Sequence, residues 1–406
     1  MKLANWIYEG PAFWGVSRIT ASMKDAQLLV YGAVGDSYPV SELSLAYKLL
    51  DVPKIRTTQI GRRELSGGAG NKITECLDKI HTGYPEDFIM VAPTSAVSLL
   101  KEDISALIRN FAGRHNATVI NSPVHPLHDF EYCAAEKTLL QLVREFIGQR
   151  TVRYERSSNP SVNIIGPTLL GFHAEEDLEQ IKNLMLELGI EINAIIPFNA
   201  RVDDFKKIPE AWFNLTTCPE ISLATLKYLK KEFQQPYVPD VPVGIESTDK
   251  FIRDIGKLIN RDFSTYAGGD NKIDLNGKYD MQILVFGDYT HAGGLAKFLS
   301  HETKVDLVAA GTFLTGWGGK FKEKINHNGC DILITDDADV VNETIKEYKP
   351  DVVFGTYNEW TVSKKLNIPA VMVSAPTDRF YRSRSNDSFA GYDGAHNFMK
   401  LLDSIS

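Results

Sequence analysis

Several absences narrow this sequence before any motif is found in it. No stretch approaches the roughly 20 consecutive apolar residues that cross a bilayer, and the opening MKLANWIYEG lacks a charged-then-apolar secretory leader. The expected location is therefore cytoplasmic. Cysteine is scarce. Cys76, Cys133, Cys218 and Cys330 lie far apart and form no CxxC pair, which excludes a zinc knuckle or a thioredoxin-type motif. Scattered thiols of this kind predict reduced, mostly buried side chains. No GxGxxG follows an apolar run, no GxxxxGK[ST] occurs, and neither HExxH nor a nucleophile elbow is present. No basic stripe offsets the net charge of −8, which argues against a nucleic-acid surface.

What remains is an ordinary globular composition. The 406 residues exceed the size at which single cores stop growing, so two or three domains are expected. Short β-branched or aromatic runs without alternation predict strands buried on both faces. They lie at Leu28–Tyr31, Phe88–Ala92, Ala117–Asn121, Val162–Gly166, Ile192–Ile196, Trp212–Leu215, Ile283–Gly287, Val305–Ala309, Asp331–Thr335, Asp351–Gly355 and Val371–Ala375. Helical patterns separate them. Leu139, Val143 and Ile147 share one helix face, and EEDLEQIKNLMLELG ends on Gly189 as a C-cap. Such alternation predicts an α/β protein with mainly parallel sheets and right-handed crossovers. Two polar segments, TVRYERSSNPS and RDFSTYAGGDNK, read as linkers. They divide the chain into three Rossmann-like domains over residues 1–155, 156–270 and 271–406.

In open parallel sheets, ligands gather beyond the carboxyl ends of strands. Here the first of those ends carries GDSYP, with Asp36 and Tyr38, and the second APTSAVS, with Thr94 and Ser95. The last third of the chain adds FGDYTHAGG, AGTFLTGWGG, ITDDAD and FGTYNEW. HAGGLAKF places Gly293 and Gly294 before a helix, which reads as close helix–sheet packing more than as an anion site. His291 ends a strand and is a functional candidate, whereas His173 in GFHAEED reads as capping or orienting the next helix. His125 and His128 have no third ligand in pattern. The residues alone predict a three-domain α/β protein with a ligand between its domains.

The opening MKLANWIYEGPAFWG, followed by GDSY, resembles the B-type chains of light-independent (dark-operative) protochlorophyllide reductase, a nitrogenase-like family. APTSAVSLLKEDI, PSVNIIGPTLLGFH, LGIEINAIIP, DDFKKIPEAWFNL, VFGDYTHA, AGTF, ITDD, KKLNIPAVMVSAP and GYDGAHNF agree in the same order, from Met1 to about Phe398. The resemblance implies a fold like nitrogenase component 1 and a heterotetramer of two N-type and two B-type subunits. It implies a two-electron reduction of the ring D double bond of protochlorophyllide in (bacterio)chlorophyll synthesis. Electrons would come from a separate homodimeric iron–sulfur reductase that uses ATP and Mg. In a photosynthetic eukaryote the location would be the plastid stroma.

The resemblance also assigns residues. A 4Fe-4S cluster shared with the N-type subunit takes three cysteines from that partner and one aspartate from this chain, matching Asp36. On its own residues GDS is good turn or N-cap chemistry, so a turn role stands beside the ligand role. Tyr38 falls close to cluster and pigment. Phe13, Trp14 and Trp360 are candidate pigment walls, each equally well suited to core packing. The family's proton-donating aspartate matches Asp274 or Asp270, since the linker is rearranged there. The chain departs from the pattern at Ser95, where the family carries cysteine, and at Thr361, where it carries histidine. The family also usually continues for about 100 residues past GYDG. These departures suit a related nitrogenase-like reductase of another substrate; a cluster-free scaffold subunit is a further alternative.

Overall fold

The computed structural model describes residues 6–46, 54–100, 102–147, 154–267, 280–303, 305–326, 329–377 and 387–405. Among them lie twelve strands in three all-parallel sheets. The first contains β1 (Ala26–Tyr31), β2 (Ile55–Thr57), β3 (Phe88–Pro93) and β4 (Val119–Asn121), in the order β2-β1-β3-β4. The second contains β5 (Ser161–Ile165), β6 (Glu191–Ile196) and β7 (Phe213–Thr216), in the order β6-β5-β7. The third contains β8 (Gln282–Gly287), β9 (Asp306–Thr312), β10 (Asp331–Ile334), β11 (Val352–Gly355) and β12 (Ala370–Met372), in the order β10-β9-β8-β11-β12. Central β1 is buried along its whole length, as a strand covered by helices on both faces must be.

The predicted helix faces are present. Leu139 and Val143 of helix Glu131–Phe146, and Ile147 just beyond it, are buried in the core. Helix Ala174–Glu187 stops before Gly189, whose φ of +66° supplies the left-handed turn that a side chain would resist. Helix Ala12–Thr20 packs tightly on Glu131–Phe146. A Cβ at Gly15 would come within 2.0 Å of the Glu131 carbonyl oxygen, so only glycine allows this approach. The buried Arg18–Glu131 ion pair joins the same two helices, and Arg18 Nη1 donates to the Leu170 carbonyl at 2.9 Å.

The closing helix Gly391–Ile405 returns across the molecule. It packs on helices Ala174–Glu187 and Ile245–Ile259, while Phe398 meets Phe354 at 5.1 Å between ring centroids. Gly294 lets the backbone press on Val243, and Gly293 faces Phe321, so the glycine pair serves contacts between helices and a loop, and not helix–sheet packing. The cysteines are free thiols as expected, but Cys133 is exposed and the other three are only partly covered. The expectation of mostly buried thiols is corrected accordingly.

The strand order of the third sheet reverses between β8 and β11, the crevice where α/β folds commonly hold a ligand. Here the chain fills it with its own N-terminal segment. Tyr8 stacks on Phe313 at 5.2 Å and 2°, touches Phe286 at 5.4 Å, and donates its hydroxyl to Glu359 Oε1 at 2.6 Å. Burial and the Glu359 carboxylate push the Tyr8 hydroxyl far above its usual range.

Candidate functional site

The carboxyl edge of the first sheet presents Asp36. The chain leaves β1 through Gly32 into a short 3-10 turn, Val34–Asp36. Gly32 donates its N–H to Thr58 Oγ1 at 3.0 Å, and the Thr58 hydroxyl donates back to the Gly32 carbonyl. A Cβ on Gly32 would stand 2.8 Å from Thr94 Cγ2 and 3.3 Å from the Asp36 carboxylate, so the close approach of these loops requires glycine. Asp36 is half-buried. Its Oδ2 accepts from the Ala33 N–H at 3.1 Å and from the buried Thr94 hydroxyl. Its Oδ1 has no partner among the described residues. The turn role and a carboxylate oxygen without a partner among the described residues therefore coexist in one side chain.

The surroundings of Asp36 are apolar and open. Tyr38 is 67% exposed, Val34 57%, Leu99 72% and Leu127 52%. Ser95 Oγ donates to the Pro126 carbonyl at 2.8 Å and ties the loops carrying Leu99 and Leu127 together. Exposed apolar side chains gathered on one surface mark an interaction site. No group of three or more His, Cys, Asp or Glu that could hold a metal exists among the described residues. Asp36 could add one oxygen donor to a metal group at this edge.

The remaining predicted residues do not gather at Asp36. Phe13 is 5% exposed and belongs to the core, so within this chain it walls no pocket. Trp14 lies half-buried above Gly10, its indole N–H enclosed without an acceptor. Trp360 sits by the third sheet on helix Tyr357–Lys365, parallel to Tyr357 at 5.9 Å, with Lys364 Nζ 4.8 Å from its ring. Thr361 donates its hydroxyl to the Tyr357 carbonyl of its own helix at 2.7 Å. Asp270 and Asp274 lie outside the described residues. Sequence reasoning missed the aromatic series that continues from Trp360 and Tyr357 through Trp6 to Tyr8.

A second polar cluster, buried where the three sheets meet, was signalled only by His291. His291 Nε2 lies 3.0 Å from Asp177 Oδ2 and its Nδ1 3.1 Å from Asp288 Oδ2. Asp177 Oδ1 also accepts from the Phe389 and Ala390 N–H groups at 2.6 and 2.8 Å. Burial opposes the imidazolium, but the two aspartates outweigh it and raise His291 to about 10. Asp288 is held below its usual range because the His291 charge overcomes its burial. Glu220 accepts from the Thr290 N–H at 2.7 Å, and burial pushes its carboxyl up. Asp177, Asp288, Thr290 and His291 border a cavity of about 30 Å³ lined also by Arg18, Tyr132 and Cys218. That space suits one water, so the cluster is a charged joint between sheets and not a substrate pocket. His173 precedes helix Ala174–Glu187 as expected, at φ +44°, but its side chain does not cap it, and burial lowers its imidazole to about 4.

A family model described as nitrogenase component 1 type oxidoreductase matches residues 11–405. The chain belongs to this family. Within the nitrogenase component 1 family it is 33% identical to the B chain of light-independent protochlorophyllide reductase from Chlorokybus atmophyticus, over 99% of this chain and 83% of that protein. The corresponding B chains of Mesostigma viride and Leptolyngbya boryana are each 32% identical over the same shares. A solved structure of nitrogenase Cp1 at pH 6.5 superposes with a TM-score of 0.77 at 17% identity, covering all of this chain and 93% of that one. At that identity it shows the fold alone, the nitrogenase component 1-like arrangement that the resemblance implied. The family relation carries oxidoreductase chemistry within a multi-subunit, iron–sulfur-containing assembly.

Proposed function

We propose that this chain is the B-type subunit of a light-independent protochlorophyllide reductase. It acts with an N-type subunit in a heterotetramer of two copies each, in the cytoplasm or a plastid stroma. Among the described residues, no helix is long and apolar enough to cross a membrane. The observation that carries the reading is identity of about one third, sustained over 99% of the chain, to proteins named for this activity. The unpartnered oxygen of Asp36, beside exposed apolar side chains, supports it.

Asp36 is the oxygen ligand to a 4Fe-4S cluster otherwise held by the partner. That cluster would supply electrons one at a time, delivered by a separate homodimeric, ATP- and Mg-using reductase. A carboxylate is a harder donor than thiolate and favours a low potential, which reduction of an aromatic macrocycle needs. Thr94 and the Ala33 N–H hold the carboxylate through Oδ2, which leaves Oδ1 available as the donor. Tyr38, at the rim, contacts pigment or cluster, and Trp14 and Trp360 border the pigment together with partner residues. Asp274 or Asp270 donates a proton to the ring D carbon while the electrons arrive.

The test is reduction of protochlorophyllide by the complex co-purified with its N-type partner, at matched cluster loading. A general acid typically contributes about 10²–10⁴-fold in rate. Asp274→Ala is expected to lower turnover by that order while leaving cluster content intact, and Asp270→Ala to be mild. The reverse pattern transfers the role to Asp270. Unchanged turnover in both removes it from this chain. A second reading, reduction of another macrocycle, is favoured by Thr361, whose hydroxyl is spent on its own helix. The pigment retained on anaerobic purification separates the two.

A further inference from the structure

A cavity of about 590 Å³ opens between helices Pro219–Phe233 and Ile245–Ile259 on one side and His291–Glu302 and Gly318–Ile325 on the other. It lies apart from the Asp36 rim and is not used by the proposed reaction. Its volume falls within the roughly 300–1,000 Å³ typical of small-molecule sites. Tyr289 and Trp317 form an aromatic wall, with ring centroids 4.8 Å apart and planes at 45°.

The charges in the wall are unequally satisfied. Lys324 has a side chain only 8% exposed, and its Nζ stands 4.0 Å from the Tyr289 ring centroid. Its nearest oxygens are the Tyr289 carbonyl at 3.4 Å and Asp240 Oδ1 at 3.6 Å. Both are long beside the roughly 2.7–2.9 Å of a well-made ammonium contact. Asp240 is itself engaged by the Tyr289 hydroxyl at 3.1 Å. The Lys297 and Lys227 side chains line the same cavity without a hydrogen bond or close ion pair among the described residues, and feel Glu302 and Glu136 only at longer range. Lys320 lies over the Trp317 face at 4.6 Å and also feels Glu136.

The acids of the wall are mostly spent elsewhere. Asp254 serves Lys250 and Lys257, and Glu246 faces His301. Glu323 is the remaining carboxylate. On a chain of net charge −8, the cavity wall gathers five lysines with four carboxylates, and its nearly buried cation, Lys324, has only long contacts to oxygen and the more distant charge of Glu220. A buried ammonium without close acceptors is costly, and an anion entering from solvent relieves that cost.

We propose that this cavity binds a small organic anion, its acidic group between Lys324 and Lys297 and its planar body against Tyr289 and Trp317. A carboxylate, sulfonate or phosphate meets the same cations, so the chemistry defines the class. Burial also depresses the proton affinity of Lys324, so an entering anion should draw it back toward the charged form.

The test is calorimetric titration of the full-length chain, in the complex in which it is purified, with 1-naphthalenesulfonate. Neutral 1-naphthalenemethanol and inorganic phosphate are the comparison probes. Saturable binding at one site per chain is expected, with both comparison probes weaker by about tenfold or more, the order of one charged hydrogen bond or one ring contact. Lys297→Gln and Trp317→Ala should each weaken naphthalenesulfonate by a similar factor. Both positions are only half-buried, so these variants should keep the wild-type circular dichroism even if Lys324→Met fails to fold. No saturable binding, equal binding of the neutral probe, or unchanged affinity in Lys297→Gln and Trp317→Ala would overturn the assignment. Phosphate binding as tightly as the aryl anion would overturn the role of the aromatic wall.

Discussion

Two side chains decide most of what this chain does locally. At the Asp36 edge, Thr94 spends its only donor on Oδ2 and thereby leaves Oδ1 as the oxygen without a partner among the described residues. Thr94→Val keeps the shape and removes that donor. We expect the fold to survive and the cluster of the assembled complex to change its electron paramagnetic resonance signature, because the carboxylate can then rotate. An unchanged signal and potential would mean that the Ala33 N–H orients Asp36 alone. At the joint between sheets, His291 is raised to about 10 from an ordinary value near 6.5. The folded state therefore holds one proton more than the unfolded state between those values. The associated stability is complete below about pH 6.5 and is lost as pH rises through about 10, at roughly 1.4 kcal/mol per pH unit. The thermal midpoint of His291→Gln should thus be lower at pH 7 but fall less steeply up to pH 10. Parallel slopes for the two proteins would contradict the charged-joint account.

The elements were legible in proportion to how much of their character is local. Each of the eleven predicted strands has an observed counterpart, because uninterrupted β-branched runs between helical patterns have few other uses. The unforeseen strand is β2, Ile55–Thr57, only three residues long and carrying Arg56. It pairs with β1 in parallel register, and Arg56 donates to Gln27 Oε1 of β1 at 2.6 Å, a contact that a three-residue run carrying an arginine does not announce. The aspartate turn was legible as turn chemistry, while its partner Thr94 is distant in sequence and was visible only as a strand-end residue. Phe13 was left between pigment wall and core, since an aromatic near a motif looks the same in either role, and within this chain it packs in the core. Tight element packing gives a separate prediction. Gly15→Ala would force helix Ala12–Thr20 away from the Glu131 carbonyl and disturb the Arg18–Glu131 pair. Overpacking against backbone typically costs about 1–3 kcal/mol, and losing the buried pair adds to it. A lowered thermal midpoint, by several degrees, is expected; a wild-type midpoint would show that the two helices can separate freely.

At the scale of the whole molecule, three parallel sheets enclose a charged joint and fill the third sheet's own ligand crevice with Tyr8. On the proposed reading the chemistry lies at the rim of the first sheet, where Asp36 stands beside exposed apolar side chains. On that reading a partner completes the rim, and a chain offering one ligand should carry no cluster when purified alone. The most direct measurement is iron content and low-temperature electron paramagnetic resonance of the chain co-purified anaerobically with its N-type partner, as wild type, Asp36→Ala and Asp36→Cys. The account predicts one cluster per pair of subunits in the wild type, a lost or labile cluster in Asp36→Ala, and a retained cluster with an altered signal in Asp36→Cys. A full cluster with normal protochlorophyllide reduction in Asp36→Ala, or a stoichiometric cluster on the chain alone, would contradict it.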